Sequence, residues 1–128
     1  MIIVEIQRNI SGQIESLTVA DHSGYAEEGR DIVCAGASAL VYTAIGAIQE
    51  LCGIEDFYRV VEASDEESIP FSEIVLPVSS LSQDQIRVSQ IILQTVVIGL
   101  KQLEDSVNTD YGNHFIRVTE KTQDMLEV

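Results

Sequence analysis

The chain has 128 residues and a mass of 14.1 kDa, enough for one domain with a two-layer core that needs no disulfide or metal staple. Its 21 acidic against 7 basic side chains give a formal net charge of -14, which repels phosphate and argues against direct nucleic-acid binding. A basic peptide or protein suits such a surface better, although excess carboxylates also serve simply to keep a small protein in solution.

Ile2, Val4 and Ile6 alternate with Ile3, Glu5 and Gln7, Asn9-Ile-Ser-Gly12 supplies turn chemistry, and Ile14, Leu17 and Val19 continue toward Ala20. The first twenty residues therefore predict a β-hairpin. The start Met1-Ile-Ile-Val-Glu-Ile lacks the basic residues of a signal peptide. The longest apolar run, Ile91 to Leu100, is broken by Gln94 and too short to span a bilayer, so the expectation is a cytoplasmic protein with no membrane partner.

A loop from His22 to Arg30 follows, punctuated by Gly24 and Gly29. Next, the pattern predicts a helix from about Asp31 to Leu51, with Asp31 as N-cap and Gly53 as stop. Ile32, Val33, Ala35, Ala37, Leu40, Val41, Ala44, Ile45, Ile48 and Leu51 make it apolar nearly all round, which predicts burial on more than one side. Small residues such as Gly36, Ala39 and Gly46 would admit another helix or a subunit.

Phe57 to Ala63 reads as a strand, Ser64 to Ser68 as an acidic turn, and Phe71 to Val78 as another strand, which Pro70 and Pro77 make short or an edge. Ser82-Gln-Asp-Gln85 is a capping box. It opens a second long helix whose apolar spacing runs to about Val107. Asp110 to Asn113 then turns the chain into a last strand, Phe115 to Thr119, before a polar tail. The expected fold is α/β (α+β), in the order ββαββαβ, with a mixed or antiparallel sheet and two long helices packed on it.

Cys34 and Cys52 fall on one predicted helix, eighteen positions or about 27 Å apart at the helical rise, beyond disulfide reach. A thiol in a helix's first turn lies near unsatisfied N–H groups and the positive end of the macrodipole, which favours the thiolate. Cys34 thus has two readings, an activated nucleophile or a small buried hydrophobe. His22 is either a solvent-facing loop residue or the base of a Cys/His pair, provided the Gly24 and Gly29 loop folds back to the helix start. Asp31 serves as N-cap, as an orienting carboxylate for His22, or as both. Ser38, one turn beyond Cys34, either offers a hydroxyl beside the thiol or, the favoured reading, bonds back to a helix carbonyl. Tyr25 shapes the loop or a substrate pocket. Cys52 reads as packing, His114 as a turn residue, and Asp65-Glu66-Glu67 as a solvated tip rather than a metal cluster.

The run Asp21-His-Ser-Gly-Tyr-Ala-Glu-Glu-Gly-Arg-Asp-Ile-Val-Cys-Ala-Gly-Ala-Ser-Ala-Leu40 resembles the signature of the ribosomal-processing cysteine protease family Prp. That signature is Gly-His-Ala-Gly-Tyr-Ala, then Gly-x-Asp-Ile-Val-Cys-Ala-Ala-Val-Ser-Ala-Leu. The resemblance extends to the opening strand, to Ile98-Gly-Leu-Lys101 and to Tyr111–Val118. It implies Cys34 as nucleophile and His22 as base, with no cofactor. It also implies removal of the N-terminal extension of large-subunit ribosomal protein twenty-seven, a homodimer, and a loop after His22 that closes over substrate. In the implied acyl transfer, backbone N–H groups near the Cys34 turn hold the oxyanion. Asp21, Ser23, Gly36 and Ala37 stand where the signature has glycine, alanine, alanine and valine; none of these changes removes a reactive group. Two rival readings are a non-catalytic acidic dimer that binds a basic ribosomal protein, and a redox sensor, which lacks a resolving cysteine within reach.

Overall fold

A computed structural model describes residues 1–21, 28–61, 71–111 and 115–123. The elements are β1 (Ile2–Arg8), β2 (Ile14–Asp21), α1 (Glu28–Cys52), β3 (Tyr58–Val61), β4 (Phe71–Val75), α2 (Gln83–Tyr111) and β5 (Ile116–Thr122), with a short 3-10 turn, Val78–Ser80, before α2. The ββαββαβ order is the one the sequence predicts.

The β1–β2 hairpin forms because Gly12, at φ +85, supplies a left-handed position that other residues adopt at a cost. Its N–H donates to the Asn9 carbonyl at 2.9 Å. The Asn9 side chain in turn accepts the Gln13 N–H at 2.9 Å. In the register, Val4 faces Val19 and Ile6 faces Leu17. Both pairs belong to the buried core, while Glu5 and Gln7 point to the open face.

The sheet order is β3-β4-β2-β1-β5. β5 runs parallel to β1, and the other neighbours are antiparallel, so the sheet is mixed. β4 is short, as Pro77 suggests, but lies between β2 and β3 rather than at an edge; Pro77 falls two residues beyond its end, where a missing N–H costs the ladder nothing. β5 continues to Thr122, three residues beyond the Thr119 at which the predicted strand ends. The acidic tip Ser64 to Ser68, Pro70 and His114 lie outside the described residues.

Both helices cover the sheet face that carries Ile2, Val4, Ile6, Ile14, Leu17, Val19 and Ile74. They run antiparallel. A Cβ on Gly36 would sit 3.5 Å from Leu103, and one on Gly99 would sit 3.1 Å from Leu40, so the glycines set how closely the helices approach. α2 ends at Tyr111, beyond the Val107 that its apolar spacing marks, and Asp110 and Tyr111 are helical. Its capping box is formed: the Ser82 N–H donates to Gln85 Oε1 at 3.0 Å and the Gln85 N–H donates to Ser82 Oγ at 3.1 Å. Polar α2 side chains also take up backbone groups of the sheet. Gln90 holds Ile14 at both ends, accepting its N–H at 2.7 Å and donating to its carbonyl at 2.9 Å.

α1 departs from expectation on its outer side. Val33, Ala37, Val41, Ala44 and Ile48 are buried, but Ile32 is 72% and Tyr42 48% exposed, and Ala35 and Ala39 are exposed with them. One flank meets the sheet and another meets α2, which leaves the third uncovered. Among the described residues, the helical segment long and apolar enough to cross a membrane by length and composition is Ile32–Cys52, with mean hydropathy 1.7, not the Ile91 to Leu100 run. Its sheet-facing residues form part of the core.

Candidate active site

α1 begins at Glu28, three residues before Asp31. Asp31 is therefore inside the helix and is not its N-cap, and Gly29, expected as loop punctuation, lies in the first turn. A single glycine costs a helix only about 1 kcal/mol relative to alanine, too little to delay the start until Asp31.

The earlier start moves Cys34 from the first turn to the second, the seventh residue of α1. Two consequences follow. The macrodipole acts mainly within the terminal turn, so its help to a Cys34 thiolate is smaller than a first-turn position would give. The Cys34 amide is also spent in the helical ladder, since only the first four N–H groups lack an intrahelical acceptor.

Cys34 is half-buried and packs against the margin of the core. Ser38, four residues on, is also half-buried. Its expected bond to a helix carbonyl is absent among the hydrogen bonds of the described residues, whereas Thr43 makes such a bond to the Ala39 carbonyl at 2.7 Å. By the helical period, Cys34, Ser38, Ile45 and Gln49 share a flank of α1. β2 ends at Asp21, one residue before His22 in the chain. His22, Gly24 and Tyr25 lie outside the described residues, as does the side chain of Asp31.

Cys52 belongs to the far end of the same helix. It is free and half-buried, and burial pushes its thiol pKa up. Its carbonyl accepts from Gln85 Nε2 at 3.1 Å, and the Gly53 N–H, at φ +66, closes the helix by donating to the Gln49 carbonyl at 3.1 Å. Near this end Gln49 Nε2 donates to the Tyr58 hydroxyl at 3.4 Å, a link from α1 to β3 that sequence spacing did not disclose. Among the described residues, two clefts of about 460 and 490 Å³ are lined by residues such as Arg8, Gln90 and Ile98, and by Met1, Glu104 and Asn108. Neither reaches Cys34.

A family profile described as cysteine protease Prp matches residues 1–112. The ribosomal processing cysteine protease Prp of Bacillus subtilis is 29% identical over 119 residues, which cover 93% of this chain and 96% of the relative. Two crystal structures of an essential ribosomal processing protease Prp from Staphylococcus aureus share the fold. The complex with a substrate peptide has 27% identity and TM-score 0.63, and the complex with a covalently linked product peptide has 29% identity and TM-score 0.62. Each alignment covers 94% of this chain and 100% of the other. With the five-stranded mixed sheet, the two helices and the thiol near the start of α1, these matches establish that the chain belongs to the Prp family of cysteine proteases.

Proposed function

We propose that this cysteine protease removes the N-terminal extension of large-subunit ribosomal protein twenty-seven, with Cys34 as nucleophile and His22 as its base. The observation that carries the reading is the position of Cys34, half-buried at the core margin early in α1, twelve residues after the histidine of the family signature. His22 accepts the thiol proton, and the thiolate attacks the scissile carbonyl. His22 then protonates the leaving amine, and water hydrolyses the thioester. Because Cys34 lies beyond the first turn, the base rather than the helix dipole supplies most of the activation. Asp31, Gly24, Tyr25, Gly29 and Ser38 are the remaining candidates for orienting the base and shaping the substrate loop. The net charge of -14 suits a basic ribosomal protein.

The working unit in this reading is a cytoplasmic homodimer. The uncovered stripe Ile32, Ala35, Ala39 and Tyr42 on α1 supports a second copy as its cover, since an exposed apolar surface commonly marks an interface. The test is cleavage of a peptide spanning the extension junction. The unaltered chain is expected to cut it once, and Cys34→Ala and His22→Ala not at all. Cleavage that survives either substitution removes that residue from its role.

A further inference from the structure

The cleft of about 460 Å³ lies between the β1–β2 turn and the middle of α2. The whole length of β2, about 23 Å, separates this end of the sheet from Asp21 and the chain that leads to His22. Three glutamines line the cleft, and each is held by its oxygen. Gln13 Oε1 accepts from Asn9 Nδ2 at 2.9 Å, Gln90 Oε1 accepts the Ile14 N–H at 2.7 Å, and Gln94 Oε1 accepts from Arg8 at 2.8 Å. The oxygens are spent internally and the donors are left over: among the described residues no acceptor takes up Nε2 of Gln13 or Gln94. Arg8 is the one charged residue among those that line the cleft. It bonds Glu120 Oε1 at 3.1 Å while Lys101 bonds Glu120 Oε2 at 3.0 Å, so two cations share one carboxylate and the group stays net positive. In a chain of net charge -14 this is a local reversal of sign. The α2 wall adds Ile91, 58% exposed, and Ile98, 49% exposed, seven residues or about 10 Å apart on one helix face.

We propose that this cleft docks an acidic peptide segment of a partner protein, its carboxylate received by Arg8, Gln13 and Gln94 and its flanking apolar side chains by Ile91 and Ile98. Charge and donor supply choose the occupant. A surface of surplus N–H donors around a guanidinium pairs with an acceptor-only group, and an ionised carboxylate is one. The same sign makes the cleft unsuited to the basic substrate of the proposed cleavage, so the partner is a different protein. Spacing agrees with a short linear segment: in the polyproline II form, residues i and i+3 lie on one side about 9 Å apart, close to the separation of Ile91 and Ile98. A second copy of this chain fits less well, because a two-fold contact centred on the cleft is self-complementary and would set Arg8 against Arg8. A partner seated here leaves Cys34 accessible, since the cleft does not reach it.

The test is an NMR titration of the full-length, nitrogen-labelled chain with the blocked tetrapeptide acetyl-Leu-Asp-Glu-Leu-amide. The side-chain amide signals of Gln13, Gln90 and Gln94 should move together and saturate below about 2 mM, and the neutral counterpart acetyl-Leu-Asn-Gln-Leu-amide should bind about tenfold more weakly. Gln94→Glu still accepts from Arg8, but it removes the leftover donor and cancels the positive charge; it should weaken binding of the acidic peptide about tenfold with no loss of Tm. Ser11→Asp, at the exposed turn beside the cleft, should weaken it as well and serves as the second variant. Glutamine signals that stay still at about 2 mM acidic peptide, equal affinity for the neutral peptide, or undiminished binding by both variants each overturn the proposal. Conversion of a dimer to a monomer by Gln94→Glu assigns the face to a second copy and overturns it too.

Discussion

Burial raises the Cys52 thiol pKa, so its thiolate is scarce at neutral pH and its alkylation should be slow until well into the alkaline range. Cys34, paired with His22 in the proposed reaction, should react with iodoacetamide at lower pH, and peptide mapping against pH separates the two sites. The Cys52 shift also has a sign for folding. The native state holds the proton more tightly, so its contribution is full below the unfolded thiol pKa and is lost as pH rises through the folded one. Glu120 behaves oppositely. The hydrogen bond from Lys101 at 3.0 Å lowers its pKa most, burial partly offsets this, and Arg8 lowers it further. Its stabilisation is present above the ordinary carboxylate range and fades as pH falls. The Glu120→Gln variant should therefore lose less thermal stability on acidification than the parent, read as Tm against pH.

Among the elements, α2 holds the sheet ends in register through single side chains. Replacing Gln90 by Leu leaves the Ile14 N–H and C=O without their partner, and urea unfolding should show a loss of about 1–3 kcal/mol. The helix contact makes a paired prediction. Gly36→Ala meets Leu103 at ordinary contact distance and should stabilise by up to about 1 kcal/mol, whereas Gly99→Ala must displace the Leu40 methyls and should gain less or lose. Much of this layer was legible in the sequence, because it is written locally. The alternation of Ile2, Val4 and Ile6, the Asn9 to Gly12 turn, the Ser82 capping box and the Gly53 stop each depend on a few neighbouring residues. What was not legible depends on distant partners or small differences. The interior place of β4 depends on β3 and β2 pairing with both its sides. The start of α1 turned on a glycine penalty that the helix absorbs, and this displaced Cys34 by a turn and removed Asp31 from the cap. The α1 residues that face outward are as apolar as those facing in, so their periodicity could not tell core from uncovered surface.

For the whole molecule, the exposed apolar flank of α1 is the surface on which the proposed self-association rests. If that flank forms the dimer contact, Tyr42→Glu should shift the chain to monomer in sedimentation. The most direct check of the cysteine mechanism is intact-mass spectrometry during turnover of the junction peptide, followed by mapping of the modified residue. The account predicts a transient thioester adduct on Cys34, none on Cys52, and neither adduct nor cleavage in Cys34→Ala. Cleavage by the Cys34→Ala protein, or an adduct confined to Cys52, would contradict it.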